Sequence, residues 1–157
     1  MSFEVQVKVL DARLTDESVG WGLPSYGTAG SAGLDLRACI EAPLVLPPNS
    51  PAVLVSAGIS VYIGHEKFVG MIYPRSGLGH KKGLVLGNTV GVIDSDYTGP
   101  LMISVWNRST DTIVIEPGER IAQYVVLPVQ QVKLNVVEDF NTTTQRGSKG
   151  FGHTGIK

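Results

Sequence analysis

The chain has 157 residues, 43% of them hydrophobic, and thirteen basic against fourteen acidic residues leave a formal net charge of -1. That length fits one domain with enough core to fold without metal or disulfide staples, and near-cancelled charge with no long charge block excludes a nonspecific polyanion binder. A single cysteine, Cys39, excludes an intrachain disulfide, points to a reducing compartment and reads as a small buried apolar residue.

The opening stretch alternates Phe3, Val5, Val7 and Val9 with Glu4, Gln6 and Lys8. This predicts a half-buried strand over Phe3 to Leu10 and not a secretory signal, which needs a basic start and an unbroken apolar stretch. A long loop from Thr15 to Ser31, with Trp21 and Pro24, follows. Strands are then predicted over Leu34 to Ile40, Leu44 to Leu46, Ala52 to Val55, Ile59 to Ile63 and Phe68 to Tyr73. After a short helix near Leu78 to Lys82 come strands over Leu84 to Leu86, Leu101 to Trp106, Thr112 to Ile115, Ala122 to Val129 and Val132 to Val137. Turn clusters such as Pro47 to Ser50, Ser56 to Gly58 and Glu116 to Gly118 separate them, being poor strand interiors.

No segment sustains helical apolar spacing, so the chain reads as all-β, a barrel or double-sheet jelly roll. No run approaches the roughly 18 apolar residues of a membrane helix, and a soluble, cytoplasmic protein with no membrane or nucleic-acid partner is expected. The tail Asn141 to Lys157 is polar and glycine-rich, with only Phe151 and Ile156 as sizeable apolar groups. It cannot bury itself, which divides the chain into a β domain over 1–140 and a flexible arm over 141–157.

Several segments bear on chemistry. Gly91 to Gly99 places Asp94, Asp96 and Tyr97 on the expected tip of a hairpin between Leu84–Leu86 and Leu101–Trp106. Such a tip can activate water and hold a flat ligand, or be an ordinary solvated turn. Pro74-Arg75-Ser76-Gly77-Leu78-Gly79 can turn backbone amides, a guanidinium and a hydroxyl toward a phosphate, or be a flexible connection. It lacks the Gly-Lys-Ser/Thr ending of a Walker loop, and His80 beside it reads as a surface or capping residue. Gly150 to Gly155 satisfies Gly-x-Gly-x-x-Gly, but two remaining residues leave no room for the helix that motif requires. Arg146 to Gly152 can instead clamp a nucleotide, with Phe151 stacking and Arg146 meeting phosphate.

On Leu34-Asp35-Leu36-Arg37-Ala38, alternation puts Asp35 and Arg37 on one face, where they read as a solvated ion pair. Gln123 in Gly118-Glu119-Arg120-Ile121-Ala122-Gln123 can orient a water or an amide. The three histidines and one cysteine show no metal-ligand spacing, and no nucleophilic triad is readable.

Five of these segments, in order along nearly the whole chain, resemble the trimeric, bacterial-type dUTPase (deoxyuridine 5'-triphosphate nucleotidohydrolase) family: Ala32–Ala38, Pro74–Gly79, Gly91–Tyr97, Gly118–Gln123 and Arg146–Gly152. The resemblance implies a jelly-roll-like distorted β-barrel and a homotrimer with shared active sites, each closed by a neighbour's C-terminal arm. It implies Mg²⁺-dependent hydrolysis of dUTP to dUMP and pyrophosphate, which supplies dTMP precursor and keeps uracil out of DNA. By the same resemblance, Asp94 is the catalytic base and Gln123 helps place the water. Arg75, Ser76 and Gly77 hold the phosphates, Arg146 reaches the terminal one, and Asp35 holds waters of the magnesium shell with no direct protein–metal bond. Asn88 pairs with uracil, Tyr97 packs under the deoxyribose, Val92, Ile93 and Met102 line the pocket, and Phe151 stacks from the arm.

Lys149 departs from the glycine usual in the family, which leaves the arm's contacts open. The Trp21 loop is longer than in many relatives and has no assigned role. Two other readings stand: a dCTP deaminase-type relative, against which the Ile93–Tyr97 hairpin and the Phe151 arm argue, and a catalytically silent nucleotide-binding regulatory β-protein.

Overall fold

In the computed structural model, which describes residues 3–148 and Gly150, antiparallel pairing runs through every sheet. The strands are β1 (Gln6–Val9), β2 (Leu34–Arg37), β3 (Leu44–Leu46), β4 (Val53–Tyr62), β5 (Phe68–Pro74), β6 (Leu84–Leu86), β7 (Gly91–Ile93), β8 (Pro100–Asn107), β9 (Ile113–Ile115) and β10 (Arg120–Pro128). One four-stranded sheet has the order β1-β4-β8-β6 and a second β2-β10-β5-β7, while β3 and β9 form a separate ribbon. This is the double-sheet architecture expected from the alternation.

The core follows from period two. Along β8, Leu101, Ile103 and Val105 are buried between the sheets while Pro100 and Met102 point outward. The same alternation drives Asn107 inward, where burial demands partners. Its Nδ2 donates to Leu46 O at 2.9 Å and Asp111 O at 2.7 Å, and its Oδ1 accepts from Ser109 N at 2.9 Å and Ser109 Oγ at 2.7 Å. One buried amide thus ties the β3–β9 ribbon to the main sheet.

Three sequence expectations change. The predicted strands Ala52–Val55 and Ile59–Ile63 are one strand, β4, because Ser56 to Gly58 forms a bulge: the register against β8 shifts between Ser56↔Met102 and Ser60↔Pro100. Gly91–Ile93 is not part of a simple hairpin; β6 pairs with β8, but β7 crosses to the other sheet and pairs with β5, Gly70 opposite Ile93 and Ile72 opposite Gly91. Val132–Val137 forms no strand among the described residues, and Val132, Leu134 and Val136 are 75%, 85% and 95% exposed. The short helix expected at Leu78–Lys82 is present, as a five-residue π-helix.

The Trp21 loop acquires a role. Its indole lies against Gly118 so closely that a Cβ there would collide with the ring, and the Arg13 guanidinium covers it at 4.6 Å from the ring centroid. Gly118 opens the turn into β10, so the long loop braces the start of a strand that carries site residues.

Candidate functional site

Register builds the first cluster. On β10, Gln123 stands opposite Asp35 of β2 on one side and Tyr73 of β5 on the other, so three strands bring one rung to the end of the sheet where Arg75 emerges. Arg75 Nε lies 3.0 Å from Asp35 Oδ1, and Arg120 Nη1 donates to Asp35 Oδ2 at 3.0 Å. Arg75 Nη1 also donates to Arg120 O at 3.0 Å. Gln123 Nε2 donates to Pro74 O at 2.9 Å, and a Cβ on Gly33 would stand 2.6 Å from Gln123 Oε1. Gly33 therefore makes the space in which that amide is held.

Two guanidiniums against one carboxylate leave net positive charge beside the Ser76–Gly77 loop, a setting suited to an anion. Ser76 and Gly77 are both exposed. Nothing in the fold requires glycine at 77: its φ is -65° and a Cβ would meet no atom within 4 Å. The missing side chain leaves the backbone there open to approach from outside.

Asp35 and Arg37, expected as an ion pair, are not one. Arg37 Nη1 donates to Gly118 O at 2.8 Å, while Asp35 is taken by Arg75 and Arg120. Sequence reasoning also passed over Arg120. Strict alternation puts it opposite in face to Gln123, three residues on, but the register shifts between Arg120 and Ala122 and carries it to Asp35.

The second cluster lies on the outer side of β7 and β8. Val92, Ile93, Asp94, Tyr97, Pro100 and Met102 line an open cavity of about 190 Å³. Its apolar wall is unfilled, with Val92 60% and Met102 39% exposed beside the exposed Asp94. Tyr97 N donates to Asp94 O at 3.1 Å and Tyr97 Oη donates to Pro100 O at 3.0 Å, which folds the ring back over Gly99. Asn88 is exposed on the β6–β7 connection and does not line this cavity.

The clusters do not meet within one chain. Asp94 follows Ile93, which faces Gly70, whereas Arg75 lies five residues beyond Gly70 at the other end of β5. At about 3.3 Å per residue that is roughly 16 Å of strand. Arg146 is exposed on the tail, and Phe151 and Lys149 lie outside the described residues. No group of three or more His, Cys, Asp or Glu side chains able to hold a metal gathers among the described residues. Away from both clusters, burial pushes the Cys39 thiol up to about 11 and the Tyr124 hydroxyl up to about 12, and the hydrogen bonds from Arg13 lower Asp11.

A family model described as dUTPase matches residues 20–155. A protein of Acinetobacter baylyi named deoxyuridine 5'-triphosphate nucleotidohydrolase is 58% identical over 154 residues, covering 98% of this chain and 99% of its own length. One of the same name from Sodalis glossinidius is 55% identical over 152 residues, 97% of each chain. Among solved structures, the Staphylococcus bacteriophage 80alpha dUTPase with dUPNHPP superposes with a TM-score of 0.84 at 27% identity, over 99% of this chain and all of that one.

Proposed function

The chain belongs to the dUTPase family and hydrolyses dUTP to dUMP and pyrophosphate, and we propose that it does so at composite sites shared between the subunits of a homotrimer. The observation that carries this reading is the separation of the two clusters along β5. A nucleotide whose base and sugar lie in the Val92–Met102 cavity needs its phosphates met by an Arg75 loop from another subunit. The exposed apolar side chains of Val132, Leu134, Val136 and Phe140 support the same reading, since such an extended segment calls for a neighbour to cover it. In this division residues 1–140 are the barrel and 141–157 an arm that brings Arg146 to the terminal phosphate and Phe151 to the base.

Asp94 accepts a proton from the water that attacks the α-phosphorus, as the bond to the bridging oxygen breaks and pyrophosphate leaves. Positioned proton transfer of this type contributes roughly 10²- to 10⁴-fold. Gln123, fixed by Pro74 and the space over Gly33, places the water. Arg75, Ser76 and the bare backbone of Gly77 hold the phosphate chain, with Arg120 setting the direction of Arg75 through Asp35. Mg²⁺ carried on the triphosphate would supply charge that stabilises the leaving pyrophosphate. Asp35 alone is too few donors for a direct site and suits contact through the waters Mg²⁺ retains.

Uracil offers an acceptor at O4 and a donor at N3, which cytosine reverses. Backbone groups of the 88–99 segment that pair with uracil, with the Asn88 amide reaching in from beyond the cavity's lining, would be left unpaired by cytosine, a mismatch worth roughly 10⁴-fold. Tyr97, held over Gly99, closes the floor against a 2′-hydroxyl, and Val92, Ile93 and Met102 leave no space for the thymine methyl. No described helix is long and apolar enough to cross a membrane, and a cytoplasmic enzyme that keeps uracil out of DNA is the role we assign. Pyrophosphate release from dUTP, UTP, dTTP and dCTP with Mg²⁺ tests the reading: dUTP alone should turn over rapidly. Ammonia release from dCTP would make the chain a deaminase.

A further inference from the structure

We infer that Gly64, outside every segment that carries the family resemblance, is a positioning residue for Asp94. β7 leaves its ladder at Ile93, so Asp94 to Gly99 runs beyond the sheet. The bond Tyr97 N to Asp94 O closes this turn on itself, and Tyr97 Oη to Pro100 O ties its far end to the first residue of β8. The end that carries Asp94 is attached by Gly64, whose N–H donates to Ser95 O at 2.8 Å. Ser95 follows Asp94 directly, so this bond fixes the Ser95–Asp96 peptide, one peptide removed from the carboxylate's own residue.

Gly64 is itself held. Its φ of 68° is a left-handed conformation that glycine adopts without strain, and a Cβ there would stand 2.9 Å from Tyr62 Cε1. Ile63 before it is buried in the core. After it, Phe68 N donates to His65 O at 3.0 Å, and the His65 ring stands edge-on to Phe68 at 5.4 Å between centroids. Phe3 stacks on Phe68 at 4.4 Å, and Lys67 O accepts from Val129 N at 2.8 Å, where β10 ends. A donor pinned from both sides restrains the carbonyl that accepts from it. Because a misplacement of about 1 Å can reduce turnover about 100-fold, that restraint bears on rate more than on binding.

The inference rests on Asp94 as the base, and its test separates the two. Gly64→Ala is expected to lower kcat by about tenfold or more with KM for dUTP unchanged. Tyr62→Ala/Gly64→Asn should recover kcat, since asparagine tolerates the left-handed backbone and the smaller neighbour makes room, while Tyr62→Ala alone should match the parent. In an Asp94→Asn background, Gly64→Ala should slow the reaction no further, because the two residues act as one unit. Parental kcat in Gly64→Ala, an equal loss in the Asp94→Asn background, or a folded Tyr62→Ala/Gly64→Asn enzyme as slow as Gly64→Ala would each overturn the inference. If Asp94→Asn itself turns over normally, both base and brace fall; if it is slow while Gly64→Ala is normal, only the brace does. Should Gly64→Ala fail to fold, the paired variant decides.

Discussion

Asp35 receives Arg75 on one carboxylate oxygen and Arg120 on the other, each at 3.0 Å. All three side chains are partly exposed, so these pairs contribute no more than about 1 kcal/mol each to stability. Their consequence is the direction of Arg75. Asp35→Asn should therefore leave the melting temperature nearly unchanged while lowering kcat/KM for dUTP by roughly tenfold, an effect of misaligned phosphate contacts. Thermal melts beside steady-state kinetics check this, and unchanged kcat/KM would show that Arg75 needs no such guide.

Asp94→Asn keeps the shape of the turn but cannot take a proton. Binding of a nonhydrolysable imido analogue of dUTP should survive, measured by calorimetry, while turnover falls by about 10²- to 10⁴-fold. Near-normal pyrophosphate release would remove Asp94 from the role of base.

Composite sites predict complementation. Arg75→Ala and Asp94→Asn chains, each nearly inactive alone, should regain activity when unfolded together and refolded as a mixture. Random assembly gives roughly a quarter of the sites an intact loop from one subunit and an intact turn from another. A mixture no more active than its parents would place both clusters' work on a single subunit.

A chain ending before Arg146 should fold with an unchanged melting temperature, because among the described residues the barrel's core draws nothing from beyond β10. Its dUTP turnover should drop sharply, since the arm's cation and ring are gone. Kinetics equal to the full chain would show the arm idle.

Tyr124 is 2% exposed, its hydroxyl has no hydrogen-bond partner among the described residues, and it abuts Gly70. Tyr124→Phe removes a buried polar atom without changing shape and should stabilise the fold by about 1–2 kcal/mol in urea titrations at neutral pH. Burial raises this hydroxyl from 10.0 to about 12. Between those values the unfolded chain has released the proton and the folded chain retains it, so the parent loses stability as pH rises through that window. The phenylalanine variant lacks this component, and its advantage should widen toward alkaline pH.

Alternation made most strands, the double-sheet plan and the motif-bearing ends legible in the sequence. What it could not show were partners. Val132–Val137 alternates like a strand, yet period two reports which faces differ, not whether a ladder exists in the same chain. Asp35 and Arg37 share a face as expected, but cross-strand neighbours and the β10 bulge decided their partners. Arg120 was hidden by that bulge, and Trp21 by a loop without periodicity. Ser56–Gly58 looked like a turn because glycine and serine mark turns and bulges alike. Gly64 carried no chemical signal, since its contribution is one backbone donor.

β5 sets a limit on how this chain can vary in length. Its seven residues pair with β10 on one edge and β7 on the other. Arg75 leaves one end, and Ile93, leading to Asp94, is registered near the other. Removing or adding one residue between Gly70 and Pro74 would reverse every following side chain, as a period of two requires. The phosphate loop would then turn over relative to the base pocket even if every catalytic side chain were still present. A point substitution in β5 leaves this phase unchanged, but a single-codon insertion or deletion would put the two halves of the chemistry out of phase.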